Sequence, residues 1–283
     1  MTEKNRALEK VSIGIANMFG VFWIYSIFLR DSFVMDPLYK TLLGFLVLYG
    51  LGLIIFLVII SKIPNGAIKR NSLDYGLILK CFLLQFTALI VSAILTAILI
   101  QVESTDASVM ISSLTPEMLF ILIIYNPIVE EFVFRRLFAV KLLKYGELFY
   151  IFVSSFCFSL VHLVSLGIPQ MVYTFILGLI WAYLYVKTGR LSIVIFLHSL
   201  SNLFGAVFIE AAQIISTEVF GFYLVLIVVL GIIGFVSLIA SIKKVGLHNA
   251  EIKKDEVVDI FTNRGVIFYT ALVIAVSILK MKY

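Results

Sequence analysis

Two adjacent glutamates, Glu130 and Glu131, lie within a long run of apolar residues. If that run crosses a bilayer, each charge near its middle costs about 2.5–3.5 kcal/mol, and the two carboxylates repel each other. Arg135 lies four residues after Glu131, on the same helix face, which predicts a buried ion pair. Glu130 has no such partner, and Pro127 before it predicts a kink that admits water. We therefore expect Glu130 to exchange protons near neutral pH.

Two histidines also lie inside apolar runs. His162 follows Phe158 at helical spacing, and we expect Phe158 to pack against the imidazole ring. His198 and Asn202 have the same spacing, which stacks an imidazole and a carboxamide on one helix face. Both groups can donate hydrogen bonds, as a developing oxyanion requires. A buried carboxylate, two histidines and an amide together predict a hydrolytic site.

The composition indicates which elements must position these residues. Of the 283 residues, 62% are hydrophobic and only 14% are charged. A soluble domain cannot cover so much apolar surface, whereas a bilayer is itself apolar. Most Lys and Arg residues lie in short loops, so the net charge of +5 indicates membrane orientation rather than nucleic-acid binding. We predict an all-α, polytopic membrane helix bundle with no nucleic-acid partner.

Apolar runs of about 20 residues, the length that crosses the hydrocarbon core, recur along the chain. We predict an eight-helix core and a shorter ninth span, Val266–Leu279. The eight predicted spans are Val11–Leu29, Thr41–Ile60, Gly76–Ile100, Glu117–Ala139, Leu148–Leu166, Gln170–Val186, Leu191–Ile209 and Val219–Ile242. The transmembrane catalytic bundle is thus expected to cover residues 1–242, with the motifs in 117–209. Residues 243–264 form a predicted polar cytoplasmic linker, and 265–283 contain the extra span.

Every second predicted loop is rich in Lys and Arg. The cations lie at the N-terminus and after the second, fourth, sixth and eighth spans, whereas residues 101–116 contain Glu103 and Asp106 and no cation. Basic loops remain on the cytoplasmic side of a membrane. We therefore predict a multi-pass protein of the cell membrane with a cytoplasmic N-terminus.

Three short motifs lie in order on the predicted helices. They are EExxxR at Glu130–Arg135, FxxxH at Phe158–His162 and HxxxN at His198–Asn202. Each is weak alone, but the ordered set resembles the CAAX-protease and bacteriocin-processing family of intramembrane endopeptidases. This family is also called Abi or CPBP and is related to the type II CAAX prenyl endopeptidases. The resemblance is dense only over residues 130–202.

The resemblance implies a role for each motif residue. Glu130 and His162 would activate the attacking water, and His198 and Asn202 would stabilise the oxyanion. The remaining motif residues would have supporting roles, and these are Glu131, Arg135 and Phe158.

The chemistry of the site leaves three mechanisms to compare. A carboxylate can activate water without a metal, so we expect no cofactor. The alternative is Zn²⁺ bound by Glu130, His162 and His198. A serine mechanism through Ser159 or Ser199 is less favoured, because small hydroxyls are common in packed membrane helices and no G-x-S-x-G motif occurs. The absence of HExxH and of any mid-span Asp argues against the zincin and presenilin-type sites.

The predicted function is hydrolysis of peptide bonds in membrane-associated peptides or proteins, with the lipid bilayer and that substrate as partners. The alternative is a non-catalytic bacteriocin-immunity or signalling scaffold of the same fold. A proton-coupled transporter is less favoured, because the sequence has no internal repeat.

Overall fold

The computed structural model describes residues 2–32, 34–100, 115–241, 246–247 and 254–282. Within these ranges the chain is helical and contains no strand, which confirms the predicted all-α bundle. The α-helices in chain order are α1 (Glu3–Ile24), α2 (Pro37–Phe45), α3 (Leu53–Ile60), α4 (Tyr75–Ile100), α5 (Pro116–Phe120), α6 (Asn126–Glu131), α7 (Phe138–Leu142), α8 (Glu147–Thr188), α9 (Leu191–Asn202), α10 (Phe208–Ile215), α11 (Thr217–Ser241), α12 (Lys254–Phe261) and α13 (Arg264–Lys282).

Short π-helical segments extend or join several of these helices without ending them. They are Tyr25–Leu29, Leu46–Gly52, Ile121–Tyr125, Phe132–Leu137 and Leu203–Val207. Two of them join α5, α6 and α7 into one continuous rod, which we call the motif rod, from Pro116 to Leu142. Because a π segment shifts the register of the backbone hydrogen bonds, it rotates the side chains that follow, and such segments are frequent at functional sites.

The first turn of the motif rod follows from its sequence. Thr115 has extended backbone angles, and its hydroxyl accepts a hydrogen bond from the Met118 amide at 3.2 Å. Pro116 occupies the first helical position, where a missing N–H is harmless. These two residues set the start of the rod that carries both glutamates.

Seven helices in the described ranges are long and apolar enough to cross a membrane. They are Glu3–Ser32, Leu38–Ile60, Tyr75–Leu99, Glu147–Val164, Leu166–Thr188, Leu191–Ile215 and Thr217–Ser241. These correspond to seven of the eight predicted core spans. The other one, Glu117–Ala139, is helical throughout as part of the motif rod, but its charged residues keep it out of this set. That it crosses the membrane stays a prediction.

The fifth and sixth spans are the two halves of α8, which fold back on each other. The break lies at Gly167, whose φ of 77° and ψ of −173° belong to a region that residues with a side chain rarely adopt. Beyond the break, Gly178 faces Ser155, so closely that a Cβ at Gly178 would lie 2.9 Å from the Ser155 Cβ. Glycines at the turn and at the contact therefore allow the two halves to pack side by side.

The loops that the sequence marks as basic meet at one end of the bundle. The Lys144 ammonium lies 2.8 Å from the Glu3 carboxylate, which joins the N-terminus to the loop after the motif rod. The Asn71 amide donates to the Lys187 carbonyl at 2.8 Å, and the Lys187 ammonium donates to the Gly246 carbonyl. Alternate loops thus share one end, as the predicted topology requires. The side of the membrane on which this end lies stays a prediction.

The C-terminal helix is longer than the predicted ninth span and packs along α1 and α8. The Tyr269 hydroxyl, on its buried face, donates to the Cys157 carbonyl of α8 at 2.9 Å. Within the predicted linker, residues 254–261 form α12, while residues 243–245 and 248–253 lie outside the described ranges, as does 101–114 between α4 and α5. Whether α13 crosses the membrane stays a prediction.

Helices α4 and α11 approach each other closely through two glycines of α11. A Cβ at Gly234 would lie 2.5 Å from the Leu83 carbonyl oxygen, and one at Gly231 would lie 3.0 Å from that of Phe86. The Thr87 hydroxyl donates to the Gly231 carbonyl at 2.8 Å. Small residues that allow such backbone contact, together with side-chain hydrogen bonds, are what hold membrane helices together.

We predict that Gly234→Ala destabilises the protein by about 1–3 kcal/mol, because the new methyl group would overlap the α4 backbone. Thermal unfolding in mild detergent measures the change. Gly221→Ala is the matched control on the same helix, since a Cβ there meets nothing within 4 Å. Equal stability of the two variants would contradict the close packing of α4 on α11.

Candidate active site

The predicted site residues converge where the motif rod, α8 and α9 pack together. They are Glu130, Glu131 and Arg135 on the rod, Phe158 and His162 on the first half of α8, and His198 and Asn202 on α9. Glu130, Glu131, Arg135 and His198 form one set of ionic contacts. The other three surround this set at distances described below.

Glu131 is the centre of the ionic contacts. Its Oε1 lies 2.9 Å from His198 Nδ1, and its Oε2 lies 2.9 Å from Arg135 Nε. Glu131 and Arg135 side chains are fully buried, and that of His198 is 4% exposed. The ion pair expected from the EExxxR spacing is present, and His198 adds a contact from a distant part of the chain. One buried carboxylate therefore joins the rod to α9.

Arg135 is held on every side by groups of the rod and α8. Its Nη1 donates to the Ser154 hydroxyl at 3.1 Å, and Ser154 in turn donates to the Phe134 carbonyl at 2.7 Å. The Arg135 carbonyl accepts a hydrogen bond from the Tyr150 hydroxyl at 3.1 Å. The guanidinium carbon lies 4.8 Å from the centre of the Phe158 ring, a favourable cation–π position. The rotamer of Arg135, and with it the orientation of Glu131, is thus fixed.

The contacts of His198 determine which of its nitrogens carries a proton. A carboxylate only accepts hydrogen bonds once it is ionised beside Arg135, so Nδ1 must donate to Glu131. His198 Nε2 then faces Glu130, whose Oε2 lies 3.8 Å away. Trp181 stacks on the imidazole with a centroid distance of 4.2 Å and an interplanar angle of 23°. A proton shared between His198 Nε2 and Glu130 leaves the two carboxylates balanced by two cations.

Glu130 differs from its neighbour in its exposure. Its side chain is 17% exposed, whereas that of Glu131 is fully buried. The carboxylate therefore combines a buried charge cluster on one side with an accessible surface on the other. Among the ionic residues of the site, Glu130 is the one that a water molecule or a peptide can reach.

His162 lies beside Phe158 and is oriented by the helix that carries it. Its Nδ1 is 3.0 Å from the Phe158 carbonyl oxygen, which can only accept, so Nδ1 carries the proton. In the neutral ring, Nε2 is then free to accept a hydrogen bond. The Phe158 ring touches both histidines, with centroid distances of 4.7 Å to His162 and 6.1 Å to His198. Phe158 thus packs against both histidine rings.

No hydrogen bond or ion pair joins His162 directly to Glu130 in the described part of the chain. The predicted cooperation of these two residues therefore requires a water molecule between them. Asn202 has a direct partner on the motif rod: its Nδ2 donates to the Leu122 carbonyl at 2.8 Å. The second N–H of the carboxamide is left for another acceptor.

The residues do not form a ready metal site. Among the described residues, no three His, Cys, Asp or Glu side chains are grouped as ligands of one ion. Within the predicted zinc set of Glu130, His162 and His198, the Nδ1 atoms of both histidines already bind other protein groups. We therefore derive no step through zinc, and metal independence stays a prediction.

The serine alternative has no support from the local hydrogen bonds. The Ser159 hydroxyl donates to the Phe156 carbonyl at 2.9 Å, and the Ser199 hydroxyl donates to the Ile195 carbonyl at 3.0 Å. Both hydroxyls therefore bond to their own helix rather than to a histidine base.

Two residues of the site were not indicated by the sequence. Trp181 belongs to no motif, and its stacking on His198 depends on how α8 folds back beside α9. Ser154 is one of many small hydroxyl residues in the predicted spans, and its bond to Arg135 links residues that are 19 positions apart. The only available signal was that Trp181 is one of just two tryptophans in the chain.

Comparison with known proteins gives one match. Residues 112–204 match a family model described as type II CAAX prenyl endopeptidase Rce1-like, and this segment contains all three motifs. No curated protein and no solved structure matches the chain. The match agrees with the resemblance seen in the motifs, and through residues 112–204 this chain belongs to the CAAX-protease family of membrane endopeptidases.

Proposed function

We propose that this protein is an intramembrane endopeptidase that hydrolyses peptide bonds in membrane-associated peptides or proteins by a metal-free mechanism. The observation that carries the proposal is the position of Glu130. It is partly accessible, lies 3.8 Å from His198 Nε2, and adjoins a fully buried Glu131–Arg135 pair. A carboxylate so placed can accept a proton from water and later return it.

Glu130 and His162 hold the attacking water in this mechanism. The Glu130 carboxylate takes one proton as the water oxygen bonds to the scissile carbonyl carbon. His162 Nε2 accepts a hydrogen bond from the same water, because its Nδ1 proton is engaged by the Phe158 carbonyl. Two acceptors on one water leave the oxygen lone pair directed at the substrate.

His198 and Asn202 stabilise the oxyanion of the tetrahedral intermediate. His198 can donate from Nε2 while Glu131 holds its Nδ1–H, so the imidazolium form is balanced by a buried negative charge. Asn202 donates with the N–H that is not bound to Leu122. Such fixed donors in a site that excludes water are worth far more than donors in solution.

The intermediate collapses when Glu130 returns its proton to the leaving nitrogen. The C–N bond breaks, and the products are a carboxylic acid and an amine, so no atom or electron is left unaccounted for. Glu131 and Arg135 take no part in bond making and serve to hold His198. The substrate class is proposed from the family match, whose description names prenyl endopeptidases that act on CAAX sequences.

We predict that Glu130→Gln lowers the rate of peptide cleavage about 100- to 10,000-fold, the range expected for loss of a general base. The rate is measured by mass spectrometry on protein in lipid nanodiscs, with a prenylated CAAX peptide as substrate. Glu117→Gln is the control, because Glu117 is exposed on the same rod away from the cluster. If the Glu130 variant keeps the full biological activity in cells, the non-catalytic scaffold is the better explanation.

We expect cleavage by the wild-type protein to continue at the same rate after treatment with 1,10-phenanthroline, followed by gel filtration. The reason is that Glu130 activates the water without a metal. Loss of cleavage that returns on addition of Zn²⁺ would instead support the set Glu130, His162 and His198 as metal ligands.

Arg135→Met is expected to destabilise the protein by about 3–5 kcal/mol, because it leaves the buried Glu131 carboxylate without its cation. Thermal unfolding in mild detergent is the measurement. Arg136→Met is the matched control at an exposed position of the same rod and should change stability by no more than about 0.5 kcal/mol. A similar small effect at Arg135 would show that the ion pair does not support the fold.

A further inference from the structure

Pro127 lies on the motif rod just before the two glutamates and belongs to none of the three motifs. We propose that Pro127 is a positioning residue for Asn202: it keeps the Leu122 carbonyl free of backbone partners, so that this carbonyl holds the Asn202 amide. The inference rests on the proposed role of Asn202 as an oxyanion donor.

The backbone register around Pro127 is the first step. In the π segment Ile121–Tyr125, the N–H of Asn126 bonds to the Ile121 carbonyl, five residues back. In the same register the next acceptor, Leu122, would receive the N–H of residue 127. Proline has no N–H, so the Leu122 carbonyl receives nothing from its own helix.

The ordinary α-helical register would not leave this carbonyl free. In that register Leu122 would accept the N–H of Asn126, four residues on. The π shift gives that N–H to Ile121 instead, and the proline removes the donor that the shift would bring to Leu122. Both features are needed, and they occur together only one turn before Glu130.

The freed carbonyl is used by α9. Asn202 Nδ2 donates to the Leu122 oxygen at 2.8 Å, across 80 residues of sequence. Because a carbonyl can only accept, the amide nitrogen rather than Oδ1 must face Leu122, which fixes the flip of the carboxamide. The second N–H then points in one defined direction. A donor held in this way is already oriented when the oxyanion forms.

The test gives residue 127 an N–H while separating that effect from loss of the proline ring. In Pro127→Ala the new N–H can bond to Leu122, or the rod can return to the α register, and the carbonyl is occupied in both cases. The matched variant carries lactic acid, the α-hydroxy analogue of alanine, at position 127 by nonsense suppression. It loses the ring as alanine does but has no N–H.

The expected result is a fall in kcat of about tenfold for Pro127→Ala, since misplacing a donor costs less than the 100- to 1,000-fold loss of removing one. KM should stay within about twofold, and the lactic acid variant should recover most of the lost kcat. Pro169→Ala is the control: Pro169 lies in the first turn after the Gly167 break, where an added N–H displaces no helical bond. Equal kcat for the alanine and lactic acid variants would overturn the proposal.

A structural measurement separates this proposal from the proposed function. The structure of the Pro127→Ala protein should show Asn202 Nδ2 displaced beyond hydrogen-bond distance from the Leu122 oxygen, whether or not the wild type cleaves a peptide. An unchanged contact would overturn the positioning role. A displaced contact together with a wild-type protein that cleaves nothing would instead place the failure in the assigned function.

Discussion

The structure of the site depends on one fully buried carboxylate, that of Glu131, which binds a cation from its own helix and an imidazole from another. Desolvation of a carboxylate is expensive, and its charge is tolerated in a membrane interior only where partners compensate it. Arg135 at 2.9 Å supplies the full positive charge, and His198 at 2.9 Å supplies a directed N–H. The same contact that makes the charge tolerable also sets the direction in which His198 Nε2 points.

The two adjacent glutamates have different surroundings because successive residues of a helix point about 100° apart. One direction leads into the packed contact with Arg135 and α9, and the other leads to the partly open side of the rod. Glu131 is therefore a structural anion, while Glu130 keeps 17% exposure and an unfixed proton shared with His198. The like charge of Glu131 and the nearby imidazole bias that proton from two sides, which is the condition that a base working near neutral pH needs.

The sequence predicted those features that depend on local spacing. Helix spacing alone places Arg135 on the face of Glu131 and Phe158 beside His162, and both contacts are present. The contact between Glu131 and His198 joins residues 67 positions apart, and no periodicity encodes it. The stacking of Trp181 likewise depends on the turn at Gly167. Such contacts follow from how the helices pack and could not be read from one sequence.

The π segments on either side of the glutamates add a constraint that the hydrophobic pattern did not indicate. Before the glutamates, the Leu122 carbonyl accepts from a side chain of α9; after them, the Phe134 and Arg135 carbonyls accept from Ser154 and Tyr150 of α8. A regular helix would use each of these carbonyls for its own backbone bonds, but carbonyls in a shifted register are open to outside donors.

The surrounding helices therefore hold the motif rod by its backbone as well as by its side chains. Side-chain contacts alone would let a rod of apolar residues rotate in its groove, because one lipid-like face resembles another. Hydrogen bonds to carbonyls on both sides of the glutamates fix the rotation and the height of the rod at once. The position of the Glu130 carboxylate is thus set by bonds made a turn away from it on either side, so the side chain itself can remain free to take up and release a proton.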